Sequence, residues 1–203
     1  MENSQIAPEE IKRLVEIPGK VRGEVFLSDF KYIKEKKGPK GVRLLKRKMQ
    51  EWGNPVSYDK VHATIWYPVG LRAVSLLAIK EAFGWGNKEI FDLGNAIPKF
   101  SFIVKMLMKT FLSIQRVFDE SPKYWEKHYT KGVLENYKID QKQKCIILRL
   151  RNFKIHPILC PLYAGYFLRI GQYVLKSKKI TIKETRCSFR GDASYHEYTI
   201  RWV

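Results

Sequence analysis

The spacing of apolar residues changes along the chain. In residues 1–132 apolar positions recur every three or four residues, which predicts helices. In residues 133–203 apolar and polar residues alternate along much of the chain, which predicts strands with one helix between them. The predicted helices of the first part cover residues 7–15, 26–35, 42–52, 71–83 and 98–118, with a short helix or turn at residues 122–131.

The last part of the chain predicts the order β-β-α-β-β. Its strands and helix cover residues 133–139, 144–151, 163–178 (the helix), 179–189 and 195–203. Because helices and strands are segregated, we expect an α+β fold in which N-terminal helices pack on a C-terminal four-stranded antiparallel sheet. Residues 1–203 then form a single domain with a mainly helical part, residues 1–132, and a sheet part, residues 133–203.

The most regular helical pattern spans residues 98–118, after a candidate cap at Asn95. Projected at about 100° per residue, Lys105, Lys109 and Arg116 form a narrow basic stripe. The opposite side carries the apolar residues Phe100, Ile103, Leu107, Ile114 and Phe118. A core helix whose lysines reach the surface explains this pattern better than an anion site.

Composition indicates a folded protein with basic character. Of its 203 residues 45% are hydrophobic, so a sizeable core can form, and the net charge of +18 attracts polyanions. The three cysteines form no CxxC, and the N-terminus has no apolar signal segment. Lys105 and Lys109 interrupt the longest apolar stretch, so we expect no transmembrane segment and a cytoplasmic, soluble protein.

The sequence offers no positive case for an enzyme. It lacks the GxSxG, HExxH, GxGxxG and GxxxxGK[ST] motifs. A hairpin turn centred between Gly191 and Asp192 places Cys187 opposite His196 on the neighbouring strand. A Cys and a His at that distance can share a metal, but two ligands are too few for a structural zinc site. A half-buried thiol beside a hydrogen-bonded imidazole is therefore the preferred interpretation, with no metal.

A basic segment covers residues 31–48, from Lys31 to Lys48, and contains a single acid, Glu35. Nucleic acid, an anionic membrane surface or an acidic protein can bind such a surface through its charge. The segment lacks a set of base-reading side chains on one helix face, so a solvated surface explains it equally well.

Three stretches resemble a known superfamily. They are VFLSDFKYIKEKKGPKGVRLLKRKMQEWG (residues 25–53), FKIHPILCPLYAGYFLRIGQYVL (residues 153–175) and KKITIKETRCSFRGDASYHEYTIRW (residues 178–202). They are similar to the superfamily of haem-nitric-oxide-binding (H-NOX) domains, 4-vinyl-reductase-like ligand-binding domains and TRAPP subunits. The resemblance implies helices packed on a four-stranded antiparallel sheet, with an apolar pocket between them.

The same resemblance implies haem held by a histidine on a core helix and by a Tyr-x-Ser-x-Arg motif. Residues 98–118 contain no histidine, and the segment LRLRNFKIHP before Pro157 lacks that motif. The second cysteine of the 4-vinyl-reductase-like hairpin is also missing. We therefore expect no haem and no other cofactor.

These observations predict a non-catalytic small-molecule-binding or sensory domain. Its ligand would be a hydrophobic or aromatic molecule or an acyl chain, bound between the helix of residues 98–118, the helix of residues 163–178 and the sheet. The alternative is a basic adaptor that binds a polyanion or an acidic protein through residues 31–48. The sequence leaves open whether the chain forms a homodimer. The pocket candidates are Ile103, Leu107, Phe111, Ile114, Phe167, Cys187 and His196.

Overall fold

The computed structural model describes residues 6–53, 55–101, 104 and 113–203. Within them the helices precede a β-β-α-β-β segment, as the sequence predicts. The helices are α1 (Pro8–Val15), α2 (Glu24–Glu51), α3 (Gly70–Phe83), α4 (Asn87–Phe100), α5 (Ile114–His128) and α6 (Leu159–Val174). The strands are β1 (Lys20–Arg22), β2 (Trp66–Pro68), β3 (Val133–Asp140), β4 (Cys145–Arg151), β5 (Ile180–Arg186) and β6 (Tyr195–Trp202).

The main sheet has the strand order β3-β4-β6-β5, and every pair of neighbours is antiparallel. This confirms the predicted α+β class and the four-stranded antiparallel sheet. In β4 and β6 alternate side chains enter the core, among them Leu148, Leu150, Tyr198 and Ile200. The short strands β1 and β2, which the sequence analysis missed, form a separate two-stranded sheet.

A bulge in β5 changes which of its side chains face inward. Arg186 pairs with Glu197, whereas Glu184 pairs with Tyr198, so one extra residue lies between the two pairs. Without the bulge, residues 184 and 187 would point to opposite faces, because side chains alternate along a strand. With it, Glu184 and the buried Cys187 both face His196.

The prediction of one continuous helix over residues 98–118 is wrong, because the chain is extended at Ser101 and again at Ser113. Helix α4 ends at Phe100, and Ser101 is extended with φ −74° and ψ 119°. A new helix, α5, begins at Ile114, where the extended Ser113 accepts a hydrogen bond from the Arg116 N–H as its N-cap. Residues 102–103 and 105–112 lie outside the described residues.

Helix α4 also begins earlier than its glycines suggest. The glycine-rich run GWGNKEIFDLGN, residues 84–95, predicts a connector around one helical turn, yet α4 starts at Asn87. The Glu89 carboxylate accepts a hydrogen bond from the Gly86 N–H, which stabilises this N-terminus. Asn95, the predicted cap, lies inside α4 and donates a hydrogen bond to the Gly165 carbonyl of α6.

The other helix boundaries differ less from the prediction. The two helices expected at residues 26–35 and 42–52 are one helix, α2, with a kink at Gly38, where φ is 64°. Helix α6 begins at Leu159, four residues before its predicted start, and residues 122–128 belong to α5. No helix in the described part of the chain is long and apolar enough to cross a membrane.

Candidate functional site

An apolar cavity of about 140 Å³ lies between α2, α4, α5, α6 and the main sheet. We call it the central cavity. Ile146 and Leu148 of β4 and Ile200 of β6 line it from the sheet, and Phe167 of α6 lines it from the helical side. An apolar cavity of about 150 Å³ holds one benzene molecule. The central cavity therefore has the size and the lining for a small apolar ligand.

Arg72 is the buried cation of the central cavity. It lies on α3, a helix that is buried on nearly all sides, and its side chain is 1% exposed. Two of its nitrogens donate hydrogen bonds to the Asp29 carboxylate of α2, one of them at 3.1 Å from Nη2 to Oδ1. Its third nitrogen, Nε, is buried and has no hydrogen-bond partner among the described residues.

Tyr163 of α6 is a second buried polar residue of the lining. Its hydroxyl is buried beside the hydroxyl of Tyr129. The ring is held by Trp125 and Phe153, whose centroids lie 5.3 and 5.5 Å from its own. Burial raises the pKa of Tyr163, and the nearby Tyr129 hydroxyl raises it further, so the hydroxyl stays protonated.

His128 of α5 also lines the cavity, but both of its ring nitrogens are engaged. Nδ1 lies 2.9 Å from the Tyr124 carbonyl, and Nε2 lies 3.2 Å from the Glu24 carboxylate of α2. Ser101 donates a hydrogen bond to the same carboxylate. This network joins α2, α4 and α5 at the cavity wall.

A second group of chemically active side chains lies around the β5–β6 hairpin. Cys160 Sγ lies 3.8 Å from Cys187 Sγ and 3.7 Å from His196 Nδ1, and His196 Nδ1 lies 3.0 Å from the Glu184 carboxylate. The ligand atoms of all four residues lie within 4.8 Å of one another. We call Cys160, Glu184, Cys187 and His196 the thiol cluster.

Neighbouring groups orient the thiol cluster. His196 Nε2 lies 2.8 Å from the Ser188 hydroxyl, so the other nitrogen, Nδ1, is the one that faces the two sulfurs. Asp192 accepts a hydrogen bond from the Cys187 N–H and fixes the backbone there. Burial raises the pKa of the Cys160 thiol, and the charges of Glu184 and Cys187 raise it further.

The sequence-predicted pocket residues fall into three groups. Ile114 and Phe167 line the central cavity. Cys187 and His196 are not among its lining residues and belong to the thiol cluster instead. Ile103, Leu107 and Phe111, like Lys105 and Lys109, lie outside the described residues. Whether any of these residues binds a ligand stays a prediction.

Four residues of these sites were missed by the sequence analysis: Arg72, Cys160, Tyr163 and Glu184. Glu184 and Cys160 reach the cluster only through the bulge in β5 and the packing of α6, which no local pattern reveals. Arg72 had one signal, since it is the single charged residue in the apolar stretch of residues 70–79.

Solved structures of H-NOX proteins superpose on most of this chain. An H-NOX protein from S. oneidensis in the Fe(II)NO state matches with a TM-score of 0.64 and 14% identity over 90% of this chain and 99% of its own. An oxygen-binding H-NOX domain related to soluble guanylate cyclases matches with a TM-score of 0.65 and 10% identity, over 89% and 94%. The unliganded Fe(II) H-NOX protein from K. algicida matches with a TM-score of 0.60 and 8% identity, over 90% and 96%.

The chain has the H-NOX fold. No family model and no curated protein matches the sequence, and identities this low establish the fold alone. The expected resemblance to H-NOX domains is thereby confirmed at the level of architecture.

Haem is the group that the H-NOX fold implies, because the matched structures include Fe(II) states and a distorted porphyrin. The described residues around the central cavity do not fit it. Both nitrogens of His128 are already engaged, and the sequence has no other histidine between residues 62 and 156. Arg72, the arginine of the lining, is paired with Asp29, so it offers a propionate no uncompensated charge.

Proposed function

We propose that this chain is a non-catalytic, haem-independent sensory domain that binds a small apolar molecule in the central cavity. The observation that supports the proposal is an apolar cavity of about 140 Å³ walled by α5, α6 and the sheet, without an uncommitted histidine beside it among the described residues. An apolar lining with few polar groups is typical of small-molecule sites.

Thermal unfolding with and without ligand tests the proposal. A molecule that binds only the folded state raises the melting temperature by mass action. We expect toluene and related small aromatic compounds to raise it in a saturable manner. Addition of haemin should give no stoichiometric Soret band that depends on His128. A His128-dependent band, or no stabilisation by any apolar compound, would contradict the proposal.

A second candidate function is metal binding at the thiol cluster. Two sulfurs bound to one tetrahedral zinc lie about 3.8 Å apart, and a sulfur and an imidazole nitrogen lie about 3.6 Å apart. The corresponding distances in the cluster are 3.8 and 3.7 Å. The distance between the two sulfurs thus matches that of two ligands on one zinc, and it is far longer than the disulfide bond length of about 2.05 Å.

Zinc is the metal that this donor set favours. Thiolate, imidazole and carboxylate are all zinc ligands, and two thiolates, one imidazole and one carboxylate supply the four that a tetrahedral site needs. The Ser188 hydroxyl at His196 Nε2 supplies the outer hydrogen bond that orients a metal-binding imidazole. A cation would also reverse the electrostatics at Cys160, because it stabilises the thiolate that burial disfavours.

Metal analysis of the purified protein tests this second function. We expect about one zinc per chain, and a cobalt-substituted protein with thiolate-to-cobalt absorption. Cys160→Ser and Cys187→Ser should each lose the metal. Cys145→Ser is the matched control, because Cys145 is a buried thiol on β4 outside the cluster. Equal metal content in all three variants would exclude the site.

A further inference from the structure

The contacts of His128 require a proton between its ring and Glu24. Nδ1 lies 2.9 Å from the Tyr124 carbonyl oxygen, which can only accept a hydrogen bond, so Nδ1 carries a hydrogen and donates it. Nε2 lies 3.2 Å from a Glu24 carboxylate oxygen. In a neutral ring with its hydrogen on Nδ1, Nε2 has only a lone pair, which repels an ionised carboxylate. An imidazolium, with hydrogens on both nitrogens, makes the same contact attractive.

The positions of the two residues in their helices favour this charged pair. Glu24 is the first residue of α2, and His128 is the last residue of α5. The N-terminus of a helix favours a negative charge and the C-terminus favours a positive one, because the backbone dipoles align along the helix. Ser101, just after α4, donates a hydrogen bond to the other Glu24 oxygen. The ends of three helices therefore meet at this ion pair, and all three residues line the central cavity.

Helix α5 is otherwise attached to the sheet. It packs mainly on β3, where the Ser121 hydroxyl donates a hydrogen bond to Asn136 and the Asn136 amide donates one to the Phe118 carbonyl. The ion pair of His128 with Glu24 joins the other end of α5 to α2. Both side chains are 15% exposed, so protons of the solvent can reach them.

Other charged and titratable groups surround His128. Arg22 of β1 donates a hydrogen bond of 3.3 Å to the carbonyl of Lys127, whose own ammonium group is exposed. Burial raises the pKa of Tyr129, the next residue, and of Tyr166 on α6, so both hydroxyls stay neutral. The two cations and the two hydroxyls keep their charge state around neutral pH. A pH effect that depends on His128 therefore does not come from them.

We propose that the His128–Glu24 ion pair is a pH-sensitive clasp that holds α5 to α2 and closes the wall of the central cavity. This inference rests on the proposed function and adds its regulation by protons. Histidine is the side chain that ordinarily changes its charge between pH 5 and 8. When His128 loses its proton, Nε2 turns a lone pair towards the carboxylate, the clasp is lost and the ligand is enclosed less well.

Binding of an apolar probe at two pH values tests the clasp. The dissociation constant of toluene is measured by calorimetry on the full chain at pH 6.0 and pH 8.0. We expect toluene to bind about fivefold more tightly at pH 6.0, because protonation and ligand binding both favour the closed wall. Toluene has no titratable group, so the difference must come from the protein.

Two variants assign the pH dependence to the clasp. In His128→Gln the amide nitrogen takes the place of Nε2 and donates to Glu24 at either pH. In Glu24→Gln the side-chain amide can donate to a neutral Nε2 or accept from an imidazolium. Toluene should therefore bind equally at both pH values in each variant. His156→Asn is the matched control: it removes a histidine outside the lining and should keep the fivefold difference.

Nitrogen NMR of the imidazole rings tests the clasp without a ligand. The midpoint of the His128 titration should lie at higher pH in the unaltered chain than in Glu24→Gln, because a carboxylate stabilises the imidazolium. Saturating toluene should move the midpoint of the unaltered chain to still higher pH, since the linkage between proton and ligand is reciprocal.

The outcomes separate the clasp from the proposed function. Equal toluene affinity at both pH values in the unaltered chain would overturn the clasp and leave the apolar-ligand function standing. A pH difference that persists in His128→Gln would also overturn it, since another group would then be responsible. If neither toluene nor any other apolar compound binds, the proposed function fails, and the two NMR midpoints alone decide: equal midpoints would show that the clasp does not exist.

Discussion

Arg72 belongs both to the buried helical core and to the lining of the central cavity. Its ion pair with Asp29 is removed from water, and a buried pair of this kind is worth little net stability against an apolar alternative. The pair does fix the orientation of the guanidinium, because two nitrogens are held by one carboxylate.

His156 acts as a local acceptor just before α6. Its Nδ1 accepts a hydrogen bond from the Ile158 N–H, 3.1 Å away, at the N-cap of the helix. Burial lowers the pKa of His156 from its ordinary value of 6.5, and Lys80 and Arg13 lower it further, against the raising effect of Glu10 at 3.7 Å. The folded protein therefore prefers the neutral imidazole, in which Nδ1 is unprotonated and can accept the hydrogen bond from the Ile158 N–H.

This arrangement predicts a loss of stability in mild acid. Because the pKa is lower in the folded state, the contribution of His156 is present above pH 6.5 and is lost as the pH falls from there towards the folded-state pKa. His156→Asn should remove that acid-dependent loss, since an Asn oxygen can accept the same bond and does not titrate. Urea unfolding at pH 7.5 and 5.5 measures it. Identical pH dependence in both proteins would refute the assignment.

At the scale of elements, α4 and α6 cross at glycines. A Cβ placed on Gly165 would lie 2.0 Å from the Phe91 carbonyl oxygen, and one on Gly94 would lie 2.0 Å from the Leu162 carbonyl oxygen. Backbone atoms cannot move aside as flexible side chains do. The two helices approach this closely because neither has a side chain at the crossing.

The crossing predicts opposite effects for two alanine substitutions on one helix. Gly165→Ala should lower the free energy of unfolding by about 1–3 kcal/mol, because it overpacks the α4–α6 contact. Gly171→Ala is the control: its Cβ would meet nothing closer than 3.7 Å, so the better helix propensity of alanine should leave stability unchanged or raise it. Equal effects of the two substitutions in chemical denaturation would contradict this packing.

The elements differ in how far the sequence could predict them. The strands of the main sheet follow from alternation and turn residues, because both signals are local. Helix α4 was not predicted because Gly94 was read as part of a turn. In the structure Gly94 allows close contact with Leu162 of α6, which is 68 residues away in the sequence. Two of the four residues of the thiol cluster follow from the sequence, because the hairpin turn places Cys187 opposite His196. Glu184 does not, because the bulge that brings it to the cluster depends on the pairing of β5 with β6.

At the scale of the whole molecule, the net charge of +18 comes from cations in many elements as well as from the basic segment of residues 31–48. Part of the basic segment is compensated internally, because Lys46 pairs with Asp59 and Lys48 pairs with Glu51 and Glu81. The remaining cations of α2 are exposed, as are many lysines elsewhere. This distribution favours general attraction of polyanions over a dedicated docking face, which is what the adaptor alternative requires.

Two sets of charge reversals distinguish these cases. Because general attraction depends on total charge, each set should weaken heparin binding equally at low salt, and both proteins should lose it at physiological ionic strength. The first set is Lys31→Glu, Lys34→Glu, Lys36→Glu and Lys40→Glu on α2, and the matched set is Lys142→Glu, Lys176→Glu, Lys178→Glu and Lys183→Glu. Stabilisation by toluene should be unaffected by salt in every protein. A much larger loss of heparin binding from the α2 set would instead establish that helix as a specific docking surface.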